Sequence, residues 1–114
     1  MLPKKHRLPL RTELNRVKKE GTLIQGRLFS LLVNQAVENQ PSRFGFIISS
    51  KIHKKAVKRN RAKRLLSEVI IDLSPKIKSG FDVVFLAKKK IIEAEIEEIK
   101  KEIKRLFAKA GMVS

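Results

Sequence analysis

Val57 to Glu68, VKRNRAKRLLSE, is the stretch of this chain whose residue types and spacing carry the clearest chemistry. Arginine presents a planar fork of donors that matches a phosphate, and lysine a compact, mobile charge. Asn60, set between Arg59 and Arg61, can donate to a phosphate or to a base edge. From Lys51 to Arg64 there are eight basic residues (Lys51, Lys54, Lys55, Lys58, Arg59, Arg61, Lys63, Arg64) and no acidic one. A solvated helix face usually mixes signs, because like charges at i, i+4 repel by about 0.2–0.5 kcal/mol. Cations at a helix N-terminus also oppose the macrodipole. Such crowding lowers stability unless something outside the chain compensates, and an anionic polymer does so. Helix N-terminal amides favour phosphate as well.

The element that positions these cations is a helix. Ala62, Leu65, Leu66, Val69, Ile70 and Leu73 recur at i, i+3, i+4, i+7, i+8 and i+11, so they share one face. Arg61, Arg64 and Glu68 fall on the opposite face. The helix is expected to bury one side and present cations on the other.

The remaining elements follow in order. Residues 1–10 form an irregular arm, broken by Pro3 and Pro9 and made basic by Lys4, Lys5, His6 and Arg7. Thr12 is the expected N-cap of a helix from Glu13 to Glu20, stopped by Gly21. Residues 22–26 read as a loop. Arg27 to Ala36 reads as a strand, with Phe29, Leu31 and Val33 on one face and Leu28 and Leu32 on the other. A turn signal at Asn39–Ser42 leads to a second strand, Arg43 to Ser49, and the two read as an antiparallel hairpin with a longer loop. After the basic helix, Ser79 and Gly80 open a third strand, Phe81 to Ala87. It is apolar on both faces except for Asp82, which places it centrally. A last helix, about Ile92 to Ala110, carries the apolar stripe Ile92, Ile96, Ile99, Ile103, Leu106, Phe107 and Ala110. Its acidic residues come early and its basic residues late, as the helix dipole favours. The order α-β-β-α-β-α predicts an α+β single domain over residues 1–114, a small mixed sheet with helices packed on it.

Composition narrows the partners. The 114 residues have room for one core, and 42% hydrophobic content supplies it, which excludes a disordered basic tail. The net charge is +16. Residues 1–64 hold 17 Lys and Arg against 3 Asp and Glu, so the excess lies almost wholly there. A basic folded domain points first to nucleic acid and then to an anionic membrane surface. Cysteine is absent, which excludes thiolate chemistry and disulfides. No apolar run is long enough to span a bilayer, and MLPKKHRLPL has no signal-peptide core, so the expected location is cytoplasmic. No catalytic set is present. His6 and His53 both sit among cations, the glycines are scattered, and no metal-ligand spacing occurs.

Val57 to Glu68 resembles the Arg-Asn-Arg motif of the protein subunit of bacterial ribonuclease P. That family carries R-N-R-x-K-R-x-x-R-E on a basic helix. Arg59, Asn60, Arg61, Lys63, Arg64 and Glu68 match it, while Ser67 stands where the family usually has Arg. The segment LRTELNRVKKEGT is similar to the family's opening helix, and Arg27 with Phe29, Arg43 to Ser50 and Phe81 to Ala87 resemble its strands. Leu14, Lys18 and Leu32 replace the family's usual aromatics, and Lys54-Lys55 precedes Ala56-Val57 with one residue more than usual.

The resemblance implies a βαβ unit in which the basic helix joins two parallel strands by a left-handed crossover, against the general right-handed rule. It implies two RNA partners, a catalytic RNA subunit and precursor tRNA, and removal of the tRNA 5′ leader with Mg²⁺ held mainly by the RNA. Arg59, Asn60, Arg61, Lys63 and Arg64, with Lys51, Lys54, Lys55 and Lys58, would contact the catalytic RNA. Leu14, Lys18, Arg27, Phe29, Leu32 and Ser49 would line a cleft for the leader. No residue of this chain is expected to be catalytic or metal-binding, and no homo-oligomer is required. The alternative on charge and size alone is a ribosomal protein or general RNA chaperone.

Overall fold

The structure, a computed structural model, describes residues 2–35 and 39–113. Seven regular elements follow in order: α1 (Leu10–Glu20), β1 (Thr22–Ile24), β2 (Phe29–Gln35), β3 (Arg43–Ile47), α2 (Ala56–Leu73), β4 (Phe81–Ala87) and α3 (Ile96–Lys109). Short 3₁₀ turns occupy Lys4–His6, Ser74–Lys76 and Lys89–Glu93. The strands form one mixed sheet in the order β1-β2-β4-β3.

β4 is central, as its double-sided apolarity predicts. It pairs antiparallel with β2, Leu31 opposite Phe85, and parallel with β3, Gly45 opposite Val84. The expected β2–β3 hairpin is therefore incorrect: β4 lies between the two strands. A turn signal in sequence marks a change of direction but not which strand returns alongside. The parallel pair β3 and β4 is joined by α2, and a parallel pair needs such a crossover. The expected strand from Arg27 begins later, at Phe29, and its last expected residue, Ala36, lies outside the described residues.

Two local expectations also change. α1 begins three residues before Glu13. Pro9 is its N-cap and accepts from the Thr12 and Glu13 amides at 3.2 and 3.0 Å, while the Thr12 hydroxyl donates back to the Pro9 carbonyl at 3.3 Å from inside the first turn. The loop expected at 22–26 contains β1, which pairs antiparallel with β2 through Leu23 and Leu32. Three residues are too few to display a period of two. Gly21 joins α1 to β1 in a space that admits no side chain: a Cβ there would lie 2.5 Å from the Val17 oxygen and 3.1 Å from the Val33 oxygen.

Strand alternation sorts the core into two layers. One sheet face carries Phe29, Leu31, Val33, Phe44, Val83 and Phe85, and α2 and α3 cover it. The Phe85 ring centre lies 5.0 Å from that of Phe29 and 5.3 Å from that of Phe46. The other face carries Leu32 and Val84, covered by Val17, Leu14 and Leu10 of α1 and by Leu8 of the arm. Gly45 faces α1 too, and a Cβ there would meet Leu10 Cδ2 at 2.6 Å.

Buried carboxylates fasten both layers. Asp82, 3% exposed, accepts from Arg16 Nη2 at 2.5 Å and from Arg43 Nε and Nη2 at 3.0 Å each. Glu13 bridges the same two arginines at 3.3 and 3.2 Å. Asp82, by hydrogen bonding, is the main reason that both guanidinium groups hold their protons more tightly than usual. The network ties α1 to β3 and β4. On the opposite layer Glu102 of α3 is buried and accepts from the amides of Arg27 at 3.1 Å, Leu28 at 2.5 Å and Phe29 at 3.3 Å. One carboxylate thus satisfies the three N–H groups that lead into β2. The last helix starts later than expected because Glu95 and Glu98 form a capping box at its N-terminus.

Two outcomes follow from these carboxylates. Glu102→Ala strands buried amides and is expected to lower unfolding stability by about 3 kcal/mol in urea titration, with Glu102→Gln losing roughly half of that. The exposed control Glu97→Gln should change it by less than about 0.5 kcal/mol; equal losses in all three would refute the role. The Glu98 carboxyl is held below its ordinary value of 4.5, first by the Glu95 amide and then by Arg27. A depressed folded-state value gives stability that is complete above the unfolded value and is lost as pH falls through the folded one. The Tm advantage of the parent chain over Glu98→Gln should therefore shrink as pH drops below 4.5, and an advantage that grows there would contradict it.

Candidate nucleic-acid interface

α2 starts at Ala56, after an extended Lys55, with no side chain capping it and no acidic residue in its first turn. Its N-terminal amides therefore keep their preference for an anion. Lys51, Lys54, Lys55, Lys58, Asn60, Lys63 and Arg64 are exposed around this end.

The three arginines differ in their partners. Arg59 Nη1 donates to the carbonyls of His53 at 2.7 Å and Lys54 at 2.8 Å, while His53 Nδ1 accepts from the Lys55 amide at 3.0 Å. These bonds fold the loop before α2 onto the helix. Arg61 Nη1 donates to the carbonyls of Ile92 at 3.2 Å and Ala94 at 3.5 Å, which ties α2 to the approach of α3. Arg64 stands out in solvent, with Glu68 one turn on at 3.9 Å. That exposed pair contributes only a few tenths of a kcal/mol, about 0.3–0.5. Carbonyl oxygens orient Arg59 and Arg61 but carry no net charge. Among the described residues Arg59, Arg61, Lys51, Lys54, Lys55, Lys58 and Lys63 meet no carboxylate. The basic end of α2 is a positively charged surface in which backbone carbonyls orient Arg59 and Arg61.

A groove of about 330 Å³ runs beside it, across β3. Leu8 and Leu10 form one wall, Gly45 and Phe46 the floor, and Lys63 and Ser67 of α2 the other wall, with Arg7 at the edge. Ser67 is buried and its hydroxyl donates to the Lys63 carbonyl at 2.9 Å. The position where the resembled family carries Arg is thus a small side chain turned inward.

The six residues expected to line one cleft are not brought together. Leu14 and Leu32 share the α1 layer, and Lys18 is exposed on α1. Phe29 is wholly buried in the opposite layer against Phe85. Its assignment to the cleft is corrected: residues 29 and 32 of one strand are three apart and must face opposite sides. Arg27 is also removed from it, since it lies before β2 and pairs with Glu98 of α3 at 3.2 Å. Ser49 is exposed beyond the end of β3. Arg7 and Gly45 were not expected in a groove. Gly45 was legible as a glycine within an alternating strand, the usual mark of close approach by another segment; Arg7 had no signal beyond its charge.

Comparison with known proteins agrees with this geometry. The family model described as Ribonuclease P matches residues 2–111. The Ribonuclease P protein component of Bacillus cereus (strain Q1) is 35% identical over 97% of this chain and 96% of its own length. That of Synechocystis sp. (strain ATCC 27184 / PCC 6803 / Kazusa) is 37% identical over 98% of this chain and 90% of its own. Among solved structures, the RNase P protein from Thermotoga maritima, in complex with 1-(4-fluorophenyl)-2-thiourea, superposes with a TM-score of 0.79 at 29% identity, covering 88% of this chain and 95% of that one. Matched along almost its whole length and folded in the same way, the chain belongs to the family of ribonuclease P protein components.

Proposed function

We propose that the protein is the protein subunit of a ribonuclease P ribonucleoprotein. It binds a catalytic RNA through the basic end of α2. It binds the 5′ leader of precursor tRNA beside that helix, and so assists endonucleolytic removal of the leader. The observation that carries this reading is the unneutralised, rigidly oriented set of cations around Arg59 and Arg61.

The physical work is electrostatic. Two RNA molecules must approach each other, and a +16 protein between them lowers their repulsion. Arg59 and Arg61 are held by backbone carbonyls, so less side-chain entropy is lost when they meet a phosphate. The groove over β3 supports a path for the leader: it is open, apolar at its floor, and bordered by Arg7 and Lys63. Lys18 and Ser49 are accessible to a strand that continues past it. Hydrolysis itself is assigned to the RNA, and so is Mg²⁺. Asp82 and Glu13 are committed to arginines, and the described residues gather no three His, Cys, Asp or Glu side chains that could hold a metal ion.

The test is reconstitution with a bacterial ribonuclease P RNA and precursor tRNA at low Mg²⁺. Addition of the protein should accelerate cleavage, and the protein alone should cleave nothing. General RNA binding without acceleration would select the chaperone reading instead. The three arginines should separate on two measurements, RNA affinity and urea stability. Arg59→Ala and Arg64→Ala should each weaken affinity and flatten the log–log salt dependence by about 0.7–0.9, with stability nearly unchanged for Arg64→Ala. Arg61→Ala should also lose about 1 kcal/mol of stability, because its bonds to residues 92 and 94 are partly buried. Parent-like affinity in all three variants would remove α2 from the interface.

A further inference from the structure

The N-terminal arm closes against the start of β3 and the far end of α2 and leaves a pocket of about 290 Å³. Leu2, Phe44, Ile70 and Ile77 line it with apolar surface. Lys5, His6 and Lys78 line it with positive or protonatable groups, and no carboxylate does. Neither lysine makes an ion pair among the described residues. Ile71, an apolar side chain left 42% exposed, lines it too.

The pocket is preformed. His6 Nδ1 donates to the Ser42 carbonyl at 2.7 Å, which leaves Nε2 without a partner among the described residues. The Ser42 hydroxyl donates to the Lys78 carbonyl at 2.7 Å and accepts from the Phe81 amide at 3.0 Å. The Lys78 amide in turn donates to the Met112 carbonyl at 2.8 Å. The backbone beneath both polar groups is thereby fixed while the Lys5 and Lys78 side chains stay exposed. His6 and Phe44 lie with ring centres 6.5 Å apart and tilted by 47°.

The volume lies just below the range for small-molecule pockets, about 300–1,000 Å³. It suits one flat ring system rather than an extended ligand. Apolar walls under an unpaired cationic edge call for a group that is flat, apolar on its faces and anionic at one end. An unpaired nucleotide has that composition, and base faces stack on aromatic side chains. We propose that this pocket takes one unpaired nucleotide of a bound RNA strand, its base against the partly exposed His6, Ile71 and Ile77 and its phosphate at Lys5 and Lys78. The proposal rests on the RNA-binding reading above but places a second contact away from the first. α2 has 18 residues and spans about 27 Å, and the pocket lies at its C-terminal end.

The experiment is titration of the full chain, ¹⁵N-labelled, with a short single-stranded RNA, a blunt RNA duplex and adenosine monophosphate in turn. Single-stranded RNA should shift the amides of His6, Phe44 and Lys78 as well as those at the start of α2. Lys5→Ala with Lys78→Ala should weaken the pocket response roughly tenfold, as loss of two lysine contacts to phosphate requires, and leave the α2 response in place. Ile71→Glu, which sets a negative charge on an exposed lining position, should do the same without disturbing the core. Shifts confined to α2 would overturn this proposal and spare the functional reading. No shifts anywhere would overturn both. Equal binding of the mononucleotide would make the pocket a site for free nucleotides instead. An equal response to the duplex would reduce it to plain charge attraction, and either result rejects the proposal.

Discussion

The molecule depends on a division among its cations: some are neutralised by carboxylates and others are only held by carbonyl oxygens. Arg16 and Arg43 meet Asp82 and Glu13, and they lock α1 to the sheet. Arg27 meets Glu98, and Lys100 meets Asp72. These pairs hold elements together, and their charge is cancelled where it is used. Arg59 and Arg61 also tie elements together, but through neutral acceptors. A carbonyl dipole fixes a guanidinium without removing its field. The fold can therefore be crosslinked by arginine at the base of α2 while that surface stays positive. With a net charge of +16, a carboxylate at each of these places would have been the more stable choice for the free protein.

That division also explains where the acidic residues sit. Eight of the 11 lie after residue 64, and several of them serve structure. Glu95 and Glu98 cap α3, Glu102 receives the amides entering β2, and Asp82 anchors α1. Glu68 comes closest to the basic surface, at 3.9 Å from Arg64 in open solvent, where screening is strong. Self-repulsion among the lysines around residues 51–63 is left standing in the free chain.

Much of this was legible in the sequence. The stripe from Ala62 to Leu73 placed α2 and its buried face, and the apolar run at 81–87 placed a central strand. What escaped was long-range or too short. β1 has three residues, and its identity comes from pairing with β2 rather than from its own pattern. The insertion of β4 between β2 and β3 is invisible locally, because a 36–42 connection suits a hairpin as well as a wider return. Glu102 was passed over because a carboxylate beside an apolar stripe looks solvated. Only the three unpaired amides entering β2, far off in sequence, explain its burial.

The candidate cleft shows how far residue types can be trusted without register. Phe29 and Leu32 are both apolar and lie three residues apart on β2, yet the period of two separates them to opposite layers. The aromatic rings of this chain have gone to the layer under α2 and α3, where Phe29, Phe46 and Phe107 surround Phe85. The α1 layer is aliphatic, with Leu14, Leu32 and Val84. A strand of RNA on that layer would meet leucine methyl groups and cations, with Phe44 and Phe46 lining only the groove over β3. Contact along this layer would then be made chiefly to phosphates, which act on any sequence. An aliphatic layer edged with cations thus offers charge to a backbone and little that tells one base from another.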